Sequence, residues 1–333
     1  MRRLVLAVGV LAAVSYGSFA LMATRFSSTC LSAYTPTRQF PPLAASPWQA
    51  GSLWWSWLKG IPSGSSLGRV CGSETGNQVW PAFVHTAVLL TVTGCLVVVG
   101  SLLVGTLAAS RSGSWLDLLA RCFSYLGWAI PAFVLALVAQ SVLRWAHDRF
   151  GFAWFRLSGW PGSCISPSGS LYGCGGSGSS ASHLLEIVRS VTVPALVLAV
   201  AFIGLHSRYL RSQLLTAFRS AYVTTARAKG LPERTVVLRH ALRNSLAVFA
   251  SALLLDFGAL FGAAMAVDWI FHLNGLGTVL ITELAGIGGG EGPRFINPYA
   301  IETLLTTAAV VVVVSSVASE LVVVWLDPRT RFQ

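Results

Sequence analysis

Charge is scarce in this sequence. Asp, Glu, Lys and Arg make up 11% of its 333 residues, against about 25% in soluble domains. Of its 23 bases only two are lysines, Lys59 and Lys229. They follow Leu58 and Ala228, so the Gly-Lys-Ser/Thr of a Walker A phosphate loop cannot occur. Any ATP that the protein depends on is therefore expected on another subunit. His-Glu-x-x-His and paired Cys-x-x-Cys patterns are missing as well, which leaves catalytic and structural zinc without support. The matches to other short patterns, "GSSLG" at 64–68 and "GCGGSG" at 173–178, lie in Gly- and Ser-rich stretches where composition alone produces them.

Apolar residues are plentiful: 54% of the chain, with a mean hydropathy of +0.67 and 12 Trp. A bilayer core of about 30 Å needs about 20 apolar helical residues. Six runs of that kind predict an all-α integral membrane protein with spans at about 4–24, 84–110, 119–143, 190–207, 245–267 and 301–326. The uncharged first run reaches Thr24, longer than the 7–15 residues of a signal-peptide core, which favours a retained span over a cleaved leader.

The placement of the bases orients these spans, because Lys and Arg in short loops stay on the cytoplasmic side. Arg2 and Arg3 precede the first span, and Arg329 and Arg331 follow the last. The connection 208–244 holds Arg208, Arg211, Arg219, Arg227, Lys229, Arg234, Arg239 and Arg243 against the single acid Glu233. All three fall on one side, giving an N-in, C-in topology. The connections 25–83 and 144–189 are then extracytoplasmic, as is the acid-rich stretch from Asp268 to Glu302. A net charge of +11 is accounted for by this topology and by anionic head groups of membrane lipid. Nothing in the pattern points to nucleic acid.

Within the first outer connection, "WWSWLKG" reads as a short amphipathic segment. The second contains "SGWPGSCISPSGSLYGCGGSGSSAS", too rich in Gly and Ser to bury a core. Cys30, Cys71, Cys164 and Cys174 lie in these loops. If they pair, Cys164 with Cys174 closes the shortest loop; free thiols are the alternative. No internal repeat and no separate soluble domain is evident.

The stretch "AYVTTARAKGLPERTVVLRHALRN", 221–244, predicts a helix, a break and a second helix. Gly230 suits a helix C-terminus with positive φ, Pro232 the start of the next helix, and Glu233 its first turn. Small alanines between exposed bases would make a compact docking knob. An ordinary base-rich loop is the plainer reading of the charge alone.

That stretch resembles the cytoplasmic signature loop of ABC-transporter permeases of the dipeptide, oligopeptide and nickel importer family, B-type. Similar correspondence is found in "HTAVLLTVTGCLVVVGSLLVGTLAA" (second span), "IPAFVLALV" (third), "LFGAAMAVDWIFHLNGLG" (fifth span and following loop), "LDPRTRF" at the C-terminus and, more weakly, "WLKGIPSGSSLGR". The resemblance implies a single six-span permease domain of the type I ABC importer fold, non-catalytic itself. It would sit in the bacterial inner membrane with a second permease subunit as heterodimer, two ATPase subunits carrying ATP and Mg, and an extracytoplasmic substrate-binding protein. It implies ATPase docking for Tyr222, Thr225, Ala226, Arg227, Ala228, Lys229, Gly230, Leu231 and Glu233. Peptides are the expected cargo, with nickel or another small solute the alternative; a non-transporting membrane scaffold is the reading of another class.

Three departures stand out: Asp256 replaces an uncharged polar residue, "HLNGLG" replaces Trp-Pro-Gly-Leu-Gly, and the segment around 164–182 resembles an insertion. Asp256, about 18 Å into the fifth span by helical rise, either faces the translocation path with Gln140 and Pro131 or is a hydrogen-bonded packing residue. Gly258 and Gly262, in GxxxG spacing, allow a close helix approach.

Overall fold

The computed structural model describes residues 2–25, 47–60, 69–70, 73–74, 76–161, 163–165, 171–173, 180–285 and 298–326. Their order is α1 (Arg2–Arg25), α2 (Pro47–Gly60), α3 (Gly76–Ser110), α4 (Trp115–Ala129), α5 (Ala132–Phe150), α6 (Ser180–Phe218), α7 (Ala221–Ala228), α8 (Glu233–Thr235), α9 (Leu242–Leu255), α10 (Phe257–Phe271), α11 (Leu276–Ala285) and α12 (Pro298–Leu326). A π-helical turn, Val236–Ala241, joins α8 to α9. Two short antiparallel hairpins, β1 (Arg69–Val70) with β2 (Ser73–Glu74) and β3 (Ser163–Ile165) with β4 (Leu171–Gly173), complete the described elements.

Among the described residues, Val79–Ser110, Ser182–Phe218 and Ile301–Ser319 are each long and apolar enough to cross a membrane. Two bent helix pairs raise the number to five if each pair is one span, and Gly9–Leu21 is a shorter apolar helix. The third and fifth expected segments, 119–143 and 245–267, are thus bent rather than straight. The first bend is 97° and lies between α4 and α5. Its cause is Pro131, which disfavours helical backbone at the residue before it; Ile130 is extended, with φ −93° and ψ 122°. The second bend is 47° at Asp256, where φ −81° and ψ −1° interrupt the helix for one residue before Leu260 resumes it by donating to the Asp256 carbonyl.

The chain divides into two compact units, 1–88 with 156–190 and 271–313, and 89–155 with 191–270 and 314–333. In the first, α2 packs its Trp face on α1: Phe19, Ala50 and Trp57 form a buried cluster, and Tyr16 meets Trp54 edge-on at 5.7 Å. Polar groups are satisfied in series there. Trp54 Nε1 donates to Ser15 Oγ (3.0 Å), and Ser15 Oγ and Thr306 Oγ1 donate to Glu302 Oε1 at 3.1 and 3.0 Å. Glu302 is fully buried, and the donors in this series meet one of its two carboxyl oxygens, offsetting part of the cost of burying the group. Elsewhere in the unit His85 stacks on Trp160 at 3.9 Å and meets the Asn274 carbonyl at 3.0 Å. The "HLNGLG" turn is made with positive φ at His272 (52°) and Asn274 (57°).

The second unit is built on a tight crossing of α4 and α6. A Cβ on Gly127 would lie 2.9 Å from the Val200 carbonyl oxygen, and one on Gly204 would lie 2.9 Å from that of Ser124. Only glycine permits this approach at both points. Ser124 and Ser207 hydroxyls meet across it at 3.1 Å. Asp117, buried near the start of α4, is paired with Arg211 of α6. Farther along α6, Leu210, Leu214 and Ala217 form a core with Val223 and Ala226 of α7, Val236, Ala241 and Phe249.

Candidate functional site

The base-rich connection is an ordered pair of helices. The chain leaves α6 at Phe218, turns at Arg219 and Ser220, and enters α7, whose buried face is Val223 and Ala226. The end of α7 is a Schellman motif: Gly230 N–H donates to the Arg227 carbonyl (2.9 Å) and Leu231 N–H to the Ala226 carbonyl (3.4 Å). Gly230 has φ +75°, as a helix-ending glycine requires, and among the described residues a Cβ there would meet no atom within 4 Å. Pro232 then caps α8 with extended backbone, its carbonyl accepting from Thr235 and Val236.

Arg227 and Glu233 bridge the break, with Nη2 to Oε1 at 2.6 Å and Nε to Oε2 at 3.2 Å. The same guanidinium lies 5.6 Å from the Phe218 ring. The Arg227 hydrogen bonds hold the Glu233 carboxyl below its ordinary range, as an adjacent cation must. Of the residues expected to dock a partner, Tyr222, Thr225, Arg227, Ala228, Lys229, Gly230, Leu231 and Glu233 are exposed. Ala226 is buried in the core beneath them and so seats α7 rather than presenting a surface. Leu238, on the π-helical turn, is a further exposed apolar side chain near this knob in sequence; its signal was hidden in an apolar run that read as helix interior.

Of the three residues expected at the path, Asp256 is half-buried at the wall of a cavity, Pro131 is exposed and Gln140 is buried. Asp256 lines this cavity, of about 480 Å³, with residues of α3, α6, α9 and α10. Its carboxylate lies 3.4 Å from Nε2 of His206, whose side chain is 1% exposed. The other ring nitrogen, Nδ1, is 2.9 Å from the Phe202 carbonyl. Sequence reading missed His206, because a lone histidine in an apolar helix carries no local mark of a partner 50 positions away. Gln140 is buried and donates to the Ile270 carbonyl at 2.8 Å, tying α5 to the end of α10. Pro131 stands at the 97° bend.

Among the described residues, a Cβ at Gly262 would find no neighbour within 4 Å, so no described helix closes on that glycine. The pairing of Cys164 with Cys174 lies outside the described residues. Cys95 and Cys122 are free and exposed.

Comparisons with known proteins agree with this architecture. The fold is similar to that of the MetNI methionine ABC transporter in its inward-facing conformation, with a TM-score of 0.53 and 17% identity over 75% of this chain and 96% of that one. A Brucella suis protein named as a peptide permease is 28% identical over 226 residues, 66% of this chain and 63% of that one. A second, named as a peptide transport system permease, is 30% identical over 183 residues, 55% of this chain and 51% of that one. The chain thus spans between half and two thirds of the length of these two relatives. The oligopeptide transport system permease protein AppB of Bacillus subtilis is 27% identical over 270 residues, 81% of this chain and 76% of that one. Residues 101–332, which include the α4–α6 crossing, the α7–α8 knob and the Asp256 bend, match the family of binding-protein-dependent transport system inner membrane components. With long apolar helices, a helix pair broken at Gly230 and a match covering most of its length, the chain belongs to that family and is a permease of the ABC-transporter type.

Proposed function

We propose that this chain is the transmembrane permease subunit of an ATP-driven importer of di- or oligopeptides. It forms half of the translocation path beside a second permease. The α7–α8 knob docks one of two ATPase subunits, which bind ATP and Mg, and an extracytoplasmic binding protein delivers the cargo. The observation that carries this reading is the knob itself. Val223 and Ala226 lock α7 to the end of α6, while Tyr222, Arg227, Lys229 and Leu231 point outward. A partner that moves the knob therefore moves α6. ATP-driven closure of the ATPase pair would draw two such knobs together and alternate access to the path. The chain makes no chemical bond.

The peptide cargo rests on the family and on the names of its relatives. N-in, C-in topology rests on the bases, and thiol labelling of single-cysteine variants tests it: a probe at position 177 should react from outside and one at Ser220 only from within. The decisive experiment is ATP hydrolysis by the assembled complex in lipid, with and without binding protein and peptide. Peptide stimulation is expected. Stimulation by nickel instead would reassign the cargo, and the lack of any associated ATPase would leave a scaffold.

A further inference from the structure

The cavity beside Asp256 has an almost wholly apolar wall, made by Val97, Phe202, Leu253, Phe257 and Leu260 among others, with one carboxylate set into it. Asp256 is 34% exposed, and His206 stands buried behind it. His206 is held on three sides by rings, Phe202 and Tyr209 at 6.2 Å and Phe249 at 6.3 Å, so the imidazole cannot swing away. Its Nδ1 faces the Phe202 carbonyl at 2.9 Å and must carry hydrogen there. A neutral imidazole has a single N–H. Nε2 would then aim a lone pair at the Asp256 carboxylate 3.4 Å away, two acceptors face to face. One proton between them resolves the conflict, whether as imidazolium with carboxylate or as imidazole with carboxylic acid.

We propose that this cavity is a binding site for an apolar ammonium ligand, the class to which the first residue of a peptide belongs, and that ligand and proton compete for Asp256. The site rests on the reading that Asp256 lies in the translocation path. A volume near 480 Å³ falls in the range of about 300–1,000 Å³ used by small-molecule sites. The apolar wall takes the side chain, and the carboxylate takes the charge. When R–NH3+ reaches the carboxylate, Nε2 or the carboxyl gives up its proton to solvent: one cation enters, one proton leaves, and the net charge of the cavity is unchanged. No electrons move. Among the described residues lining the cavity, Cys95 of α3 is the other titratable group, and Tyr209 is the titratable neighbour of the imidazole.

Cys95 serves as the reporter. In the full chain in lipid nanodiscs, with Cys30, Cys71, Cys122, Cys164 and Cys174 replaced by serine, the rate of Cys95 modification by N-ethylmaleimide is measured with 2-phenylethylamine or 2-phenylethanol present. The ratio to the rate without ligand is taken at each pH. The amine should protect at concentrations at least several-fold below the alcohol, and its half-protecting concentration should fall towards tenfold per pH unit as the shared proton is competed away. Asp256→Asn should erase the difference between amine and alcohol. His206→Gln, which cannot hold the proton, should keep the amine preference and flatten its pH dependence. Equal protection by amine and alcohol in the unmodified chain, or an amine preference that survives Asp256→Asn, would overturn the site. Peptide-stimulated hydrolysis by the assembled complex is scored separately: its persistence without amine protection removes this site alone, whereas its absence beside intact amine protection removes the peptide-importer reading.

Discussion

Arg211 grips Asp117 with two hydrogen bonds, Nε to Oδ1 at 2.7 Å and Nη2 to Oδ2 at 2.8 Å, across 94 positions of sequence. The Gly113 amide donates to the same carboxylate at 3.0 Å, and Arg121 stands 3.4 Å away. The pair ties the first turn of α4 to the part of α6 that leads to the knob. Removing one partner of a buried pair leaves an uncompensated charge, which costs about 3–5 kcal/mol. Arg211→Met, which leaves the buried carboxylate without its guanidinium, should therefore lower the thermal midpoint of the purified chain sharply, whereas Asp117→Leu with Arg211→Met should recover part of the loss. A double variant no more stable than Arg211→Met would mean that the pair is not the source of the effect.

Gly230 offers a test of the knob that leaves the spans untouched. A Cβ there meets none of the described residues, so the penalty is that of the left-handed backbone, about 1 kcal/mol for a non-glycine residue and more for a β-branched one. Gly230→Val should insert normally and lose ATPase association or the coupling of hydrolysis to uptake, while Gly230→Asn, which tolerates positive φ, should retain both. Pull-down of the ATPase subunit and peptide uptake in vesicles read the two effects.

Glycines at the helix crossing and on the open face should behave oppositely. Gly204→Ala forces a methyl against the Ser124 carbonyl and should cost about 1–3 kcal/mol, visible as a lower thermal midpoint. Gly262→Ala meets no atom of the described residues and should leave that midpoint unchanged. If Gly262→Ala nonetheless weakens recovery of the second permease in co-purification, the face is where the partner helix lies.

The exposed Arg227–Glu233 bridge sets an expectation for pH. Its partners are 43% and 59% exposed, so the ion pair contributes at most about 1 kcal/mol. Arg227 depresses the Glu233 carboxyl, so this contribution is whole above the ordinary carboxylate range and fades only as the solution is acidified through the lowered value. ATPase association should thus be flat with pH between 6 and 8 as far as this bridge is concerned, and Glu233→Gln should leave it flat. Arg227→Met should cost more than Glu233→Gln, because the guanidinium also covers Phe218. Equal losses would show that the Phe218 contact adds nothing.

The parts legible in the sequence were those written in local chemistry. Charge-free runs marked the long helices, and Gly230 with Pro232 marked the break and even its backbone sign, because only local geometry decides there. The 97° bend at Pro131 was hidden by the same hydrophobicity that marked the span: an apolar run reads alike whether straight or folded on itself. The Asp256 break escaped for another reason, since Leu255-Asp256-Phe257 contains no Gly or Pro to signal it. Ala226 looked like a surface alanine between bases, yet it faces inward, which only the packing against Leu210 and Leu214 reveals. His206 and Arg211 each owe their roles to partners brought together by the α4–α6 crossing and the turn back through α9, and no window of sequence holds both members of such a pair.

Past Pro194, α6 runs without a break to Phe218, and at 1.5 Å per residue residues 195–218 make a rod about 36 Å long. A rod of that length is a lever. Tilting it by about 5° carries its far end about 3 Å, close to the width of one atom. Because α7 is bolted to that end by buried side chains, with two residues between the helices, the knob shares the full displacement, about twice what the same tilt produces at His206 halfway along the rod.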